Sequence, residues 1–225
     1  MPDRTRLSYA QDGAETFGGA TVSSLDRIQS ALAPLPHDAA GVRISGLAAL
    51  QPFLVSNGPI GAIAARLIGP SCLPVRAVLF DKTVATNWSL AWHQDRTISV
   101  KRKMDVEGFG PWTTKAGMQH VAPPFDLLSR MVTLRVHLDD VPSINAPLLI
   151  APGSHRFGRV PANRIDEIVR QCGARECLAA AGDVWLYATP ILHASESAAT
   201  PGRRRVLQVD FSADKLPGGL EWLGV

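Results

Sequence analysis

Cysteine is scarce in this 225-residue chain. The three present, Cys72, Cys172 and Cys177, are odd in number and loosely spaced, which argues against a disulfide framework. Cys172 and Cys177 also fit no common zinc spacing. The opening stretch MPDRTRLSYAQDGAETF lacks the apolar run of a signal peptide, and no segment approaches the length of a membrane span. A soluble protein in a reducing, cytoplasmic setting is expected, with no membrane partner. Charge is modest: 19% of residues are charged and the net charge is +3. Outside Lys101-Arg102-Lys103 and Arg203-Arg204-Arg205 the cations are scattered, and no long basic stripe is interleaved with aromatics. A nucleic-acid partner is therefore not expected. There is no internal repeat and no low-complexity tract.

Apolar residues make up 46% of the chain, enough for a substantial core, and its length suits a single domain over residues 1–225. Residues 1–74 read as mainly helical. Ser23 or Ser24 could cap a helix through Leu25, Ile28 and Leu32; Leu47, Leu50 and Leu54 suggest a second. Pro59 suits the start of a third, which Gly69 and Pro70 would end. From Val75 to residue 212 the texture changes to short β-like segments: VRAVLF, the region Ser89 to Val100, MVTLRVHLDD, PLLIAP, GDVWLY and RRVLQVDF. Turn signals such as PGSH and AGD separate them, with one helix expected at RIDEIVRQC. The fold class is mainly β with flanking helices, a sandwich or jelly roll. Residues 101–124, rich in Gly and Pro, read as a long lid-like loop.

The chemistry begins in AWHQDRTISV. Successive side chains of a strand point to opposite faces, so His93 and Asp95 would share one face while Trp92 and Gln94 take the other. Of the six histidines, His37 reads as solvent-facing, His155 as structural or surface, and His193 stands at a strand edge one hundred residues after His93. His93, Asp95 and His193 together make the two-histidine, one-carboxylate metal set of non-haem Fe(II) oxygenases, which leaves three coordination sites open for small molecules. A carboxylate at position 95 also argues against a halide-binding variant. Eleven residues after His193 comes Arg204, suited to gripping a carboxylate bidentately, and Ser195 could donate to the same group. Alternation turns Arg204 inward with Val206 and Gln208, and turns Arg203 and Arg205 away.

Three segments, AVLFDKTVATNWSLAWHQDRT, LRVHLDDVPSINAPLLIAPGSHRFG and AGDVWLYATPILHAS…RRRVLQVDF, together resemble the phytanoyl-CoA dioxygenase family over roughly residues 75–212. The resemblance implies a double-stranded β-helix, cupin-like, that uses Fe(II), 2-oxoglutarate and O2. It further implies iron ligands at His93, Asp95 and His193, and a 2-oxoglutarate carboxylate held by Arg204 and Ser195. Lys82 and Asn87 match family-like positions near the iron strand and are read as cosubstrate-binding, with a loop-holding role as the alternative for Asn87. In MVTLRVHLDD the polar set Thr133, Arg135 and His137 faces either water or the cavity. Thr133 is read as cosubstrate-binding and Arg135 as a partner for an anionic substrate, with Gln119 and His120 reaching the same cavity from the loop. One departure is visible: Ala146 stands where the family often has glycine. The implied activity is oxidation, by default hydroxylation, of a small organic substrate with release of succinate and CO2. A cupin-like metalloenzyme without 2-oxoglutarate and a non-catalytic binding protein on the same fold are the alternatives.

Overall fold

The structure, a computed structural model, describes residues 6–37, 39–200 and 202–225. Thirteen strands, numbered along the chain, form three antiparallel sheets among these residues. The largest runs β1 (Ala14–Phe17), β11 (Val184–Ala188), β8 (Val132–His137), β13 (Arg204–Ser212), β3 (Leu73–Lys82), β2 (Val42–Ile44). A smaller sheet runs β10 (Arg175–Glu176), β9 (Leu148–Ile150), β12 (His193–Ser195), β4 (Leu90–His93). The third runs β5 (Ile98–Val100), β7 (Met118–Val121), β6 (Trp112–Lys115).

Strand alternation explains how the large sheet is buried on both faces. Its outer face carries Ala77, Leu79, Leu134, Val136, Leu207 and Val209, packed against Ile28, Leu32, Phe53 and Ile63 of the helical segments. The inner face carries a different class of residue: Arg76, Thr133, Arg135, Arg204, Gln208 and Asp210, most of them buried. Trp185 and Tyr187 of that sheet meet Leu148 and Ile150 of the smaller one in a second apolar cluster. The two sheets thus form the walls of a jelly roll, apolar outside under helices and polar within.

Three expectations need correction. The segment before Val75 contains the expected helices, at Leu25–Leu32, Gln51–Leu54 and Gly61–Ile68, the last ended by Gly69 at φ +89°. It also supplies both outer strands of the large sheet, β1 and β2. Strands of four and three residues are too short for an alternating pattern to register in the sequence.

The region Ser89 to Val100 is not one strand: β4 ends at His93 and β5 begins at Ile98, in different sheets. Gln94 fixes the break. Its Nε2 donates to the carbonyls of Gly158 (2.9 Å) and Pro190 (2.8 Å), and its Oε1 accepts from the Val160 amide (2.9 Å).

Residues 101–124 are not a plain loop, because β6 and β7 form a hairpin within them. Its turn is Ala116-Gly117, both at positive φ, the geometry whose twist suits a two-residue hairpin. Val121, Trp112 and Phe109 pack it against Val75, Ile98 and Leu128.

Candidate metal centre and its cavity

His93 and His193 lie directly opposite each other in the β4–β12 pairing, which puts their imidazoles on one face with ring centroids 4.2 Å apart. Asp95 follows two residues past the end of β4. One ligand atom from each of His93, Asp95 and His193 falls within 4.8 Å of the other two. The same local device orients both histidines. Nδ1 of His93 meets the Ala91 carbonyl at 2.8 Å, and Nδ1 of His193 meets the Ile191 carbonyl at 3.0 Å. A carbonyl can only accept, so each Nδ1 carries the proton and each Nε2 keeps a free lone pair. The amide of Leu192, next to His193, donates to Ser154 Oγ at 2.8 Å, so the PGSH turn anchors the strand that carries the second histidine.

Asp95 is held from behind. Arg76 Nη2 donates to its Oδ2 at 2.8 Å, and Gln208 Nε2 approaches the same oxygen at 3.5 Å. Arg76 Nε meanwhile donates to Asp210 at 2.6 Å, and Asp210 accepts from Thr133 Oγ1 at 2.9 Å. Burial by itself would raise the Asp95 carboxyl, but Arg76 and the two imidazoles outweigh it and hold the group well below the usual carboxylate range. Burial lowers His193 to about 4, with the neighbouring His93 adding to the effect. At neutral pH His193 is therefore a neutral imidazole and Asp95 a carboxylate, the protonation a divalent metal needs of them.

These three residues open into a cavity of about 580 Å³ whose lining includes Ser195, Arg204, Arg135, Gln208, Phe80 and Trp88. Arg204 is 3% exposed. One guanidinium nitrogen donates to the Ala146 carbonyl, and Nε is buried without a partner among the described residues. Burial, then repulsion from Arg135, lowers Arg204 to about 10. Arg135 donates to Gln208 Oε1 at 2.7 Å and lies 5.3 Å from the Phe80 ring centre, again with Nε unpartnered. Lys82, paired with Arg204 across β3 and β13, reaches Glu196 O and sits 3.5 Å from Ser195 Oγ. Burial and the adjacent Arg204 lower it to about 8. Arg203 and Arg205 turn the other way, onto Asp81 (2.9 Å) and Asp139 (2.7 Å).

Several sequence-based expectations end elsewhere. Thr133 does not reach the cavity: it supports Asp210 and shares a hydrogen bond with Thr189 at 3.0 Å. Asn87 ties its loop to Ala198 through both amide atoms, at 3.0 and 2.7 Å, and is also absent from the lining. Gln119 reaches Thr114, at 3.3 Å. His120 is buried in the hairpin sheet with Nδ1 at the Met118 carbonyl. From that hairpin it is Lys115, not Gln119 or His120, that lines the cavity.

Arg76 and Asp210 were missed from sequence, and Gln208 was turned inward but given no role. The signal available was the alternation of β13, which puts Arg204, Gln208 and Asp210 on one face, but nothing local marks Arg76 as their partner. Ala146 adopts φ +46° and its carbonyl accepts from Arg204, so the departure from glycine touches the Arg204 site directly.

A jelly roll whose cavity wall carries two histidines and one carboxylate belongs structurally with the double-stranded β-helix metalloproteins. The chain is a member of the phytanoyl-CoA dioxygenase family, whose model matches residues 62–206. No curated protein sequence matches it significantly. Among solved structures it is similar to EctD from S. alaskensis in its apoform, with TM-score 0.66 and 16% identity over 94% of this chain and 77% of that one. It is also similar to HygX from Streptomyces hygroscopicus with nickel and 2-oxoglutarate bound, with TM-score 0.61 and 17% identity over 94% and 87%. A third is the epimerase SnoN in complex with Fe3+, alpha ketoglutarate and nogalamycin RO, with TM-score 0.64 and 17% identity over 94% and 88%. At such identities the likeness establishes the fold. No helix among the described residues is long and apolar enough to cross a membrane.

Proposed function

We propose that the protein is an Fe(II)- and 2-oxoglutarate-dependent oxygenase that hydroxylates a small organic substrate. One observation carries the reading. The convergent His93, Asp95 and His193 open into the same cavity as a buried arginine that has no carboxylate partner among the described residues. Burying a cation without a counter-charge is costly, so Arg204 calls for an anion.

The donor set suits the metal. Two imidazole nitrogens and one carboxylate oxygen match Fe(II) with open positions, and both Nε2 atoms are left free by the backbone bonds to Nδ1. The iron with 2-oxoglutarate and O2 would supply the oxidising chemistry, with release of succinate and CO2. The protein's own contribution is position and charge. Arg76 holds Asp95 as a carboxylate through Oδ2. Arg204, with the Ser195 hydroxyl beside it, would bind the far carboxylate of 2-oxoglutarate, and Lys82 would add positive charge from behind the lining. Arg135, from its place beside Gln208, would add its positive charge to the same end of the cavity. The apolar wall of Val78, Phe80, Trp88 and Leu90 would limit water around the reacting C–H bond.

The test is anaerobic titration of metal-free protein with Fe(II) and then 2-oxoglutarate, followed by visible absorption. A weak charge-transfer band that needs both, and that is lost in His93→Ala and Asp95→Ala with the fold intact, is the expected result. Iron binding without such a band would instead favour a metalloenzyme that does not use the keto acid. Product analysis then separates hydroxylation from an epimerase outcome such as that of SnoN.

A further inference from the structure

The cavity carries more positive charge than the metal site and its cosubstrate use. Six cationic side chains line it, Arg43, Arg76, Arg96, Lys115, Arg135 and Arg204, against a single carboxylate, Asp95. Arg76 is committed to Asp95 and Asp210. Arg135 and Arg204 are buried beside Gln208 and Ser195, where the cosubstrate reading uses them. Arg96 gives one nitrogen to the Val160 carbonyl. Arg43 and Lys115 remain. Neither has a carboxylate partner among the described residues, and both are more open to solvent than the buried pair.

They come from two separate elements, β2 and β6. Arg43 pairs with Val78 across β2 and β3, and Arg76 lies two residues before Val78 on the same face. Arg43 is thus one guanidinium removed from the metal-site carboxylate. Lys115 is the last residue of β6, presented by the tight Ala116-Gly117 turn. Arg43, Arg76 and Lys115 all line this one cavity. Val78 and Phe80 continue the wall beside Arg43, and Leu90 faces the same space. A run of neighbouring cations on one exposed strand would be a solvated edge. Cations converging from separate elements on one partly apolar cavity form a receptor for an anion with an apolar body.

We propose that the substrate is a small organic anion whose carboxylate or phosphate is held by Arg43 and Lys115 at the cavity mouth. Its apolar part lies against Val78, Phe80 and Leu90. The proposal rests on the oxygenase reading for the reaction alone; the anion site stands on the charge and geometry of the cavity.

The test is calorimetric titration with phenylacetate, phenyl phosphate and the neutral phenylacetamide. It is run on metal-free protein and on protein holding Fe(II) and saturating 2-oxoglutarate without oxygen. Both acids, or one of them, should bind at least about tenfold more tightly than the amide. Which acid is preferred identifies the head group. The double variant Arg43→Gln, Lys115→Gln should weaken the acids by about tenfold, and leave both amide binding and the 2-oxoglutarate-dependent absorption band unchanged.

Equal binding of acids and amide, no acid binding in the millimolar range, or full displacement of the acids by 2-oxoglutarate would overturn the proposal. The last result would seat the probes on Arg204 instead. Acids that still bind through Arg43 and Lys115 when no band forms would sink the oxygenase reading and leave the anion site standing.

Discussion

Arg76 bridges two carboxylates, donating from Nη2 to Asp95 at 2.8 Å and from Nε to Asp210 at 2.6 Å. Burial would lower its basicity, but Asp210 and Asp95 outweigh that and raise it, so the guanidinium is charged at every relevant pH. Because Oδ2 of Asp95 is occupied by this bond, Oδ1 is the oxygen left for a metal. The orientation of this candidate ligand is thus set by β3 and β13, neither of which carries any of the three candidate ligands itself.

Removing Arg76 alone leaves two buried carboxylates uncompensated. Arg76→Met should therefore destabilise the fold by about 3–5 kcal/mol in urea unfolding. The double variant Arg76→Met, Asp210→Asn removes a cation and an anion together, leaving the local charge balance unchanged. It should recover much of that stability yet bind Co(II) about 10–100-fold more weakly than the parent, since the support of Asp95 is gone. Full metal affinity in the double variant would mean that Asp95 needs no support from Arg76.

Arg204 and Arg203 are sequence neighbours with opposite surroundings, which makes them a sharp pair. Arg204→Ala should weaken 2-oxoglutarate by about 2–5 kcal/mol while Fe(II) affinity changes little, because a charge-assisted contact to a buried carboxylate is lost. Arg203→Ala strips the buried Asp81 carboxylate of its half-exposed partner and should therefore cost stability. Its effect on 2-oxoglutarate should be negligible. Both are read from titrations of the visible band, and equal weakening by the two variants would contradict the inward orientation of Arg204.

His137 is 2% exposed, and neither ring nitrogen has a hydrogen-bond partner among the described residues. Burial first, then Arg135 and Arg204, push it down to about 3. In the unfolded chain the ring protonates near its ordinary value, so below about pH 6.5 the unfolded state binds the extra proton and stability falls as pH drops, levelling off below about 3. Between pH 7 and 5 this one group should cost about 2 kcal/mol. His137→Leu should flatten the pH dependence of the urea midpoint by that share; an unchanged slope would place the acid sensitivity in other groups.

Ala146 holds φ +46°, a region that costs a residue with a Cβ about 1–2 kcal/mol. Glycine relieves that cost but adds freedom to the unfolded chain. Ala146→Gly should therefore stabilise by about 0.5–1 kcal/mol, and Ala146→Val should destabilise. Since the Ala146 carbonyl accepts from Arg204, the valine variant should also weaken 2-oxoglutarate, measured by the same band.

The sequence by itself determined the texture of the jelly-roll strands, the inward turn of Arg204, and the identities of His93, Asp95 and His193. Strand alternation and residue chemistry are local properties, and they survive in a single chain. It could not reveal that β1 and β2 close the edges of the large sheet, because such short strands carry no period. Nor could it reveal that Asp95 lies beyond the end of β4, because Gln94 breaks the strand through bonds to residues 158–190, far along the chain. The partner of Asp95 was equally hidden: Arg76 lies 19 residues away in sequence, and only the β3–β13 pairing brings it to Asp210 and the site. Thr133 and Asn87 have chemistry suited to a carboxylate, yet packing turned one toward Asp210 and the other toward Ala198. Residue type states what a side chain can do. Which of its possible partners it meets is decided by long-range pairing, and that exists only once the sheets have formed.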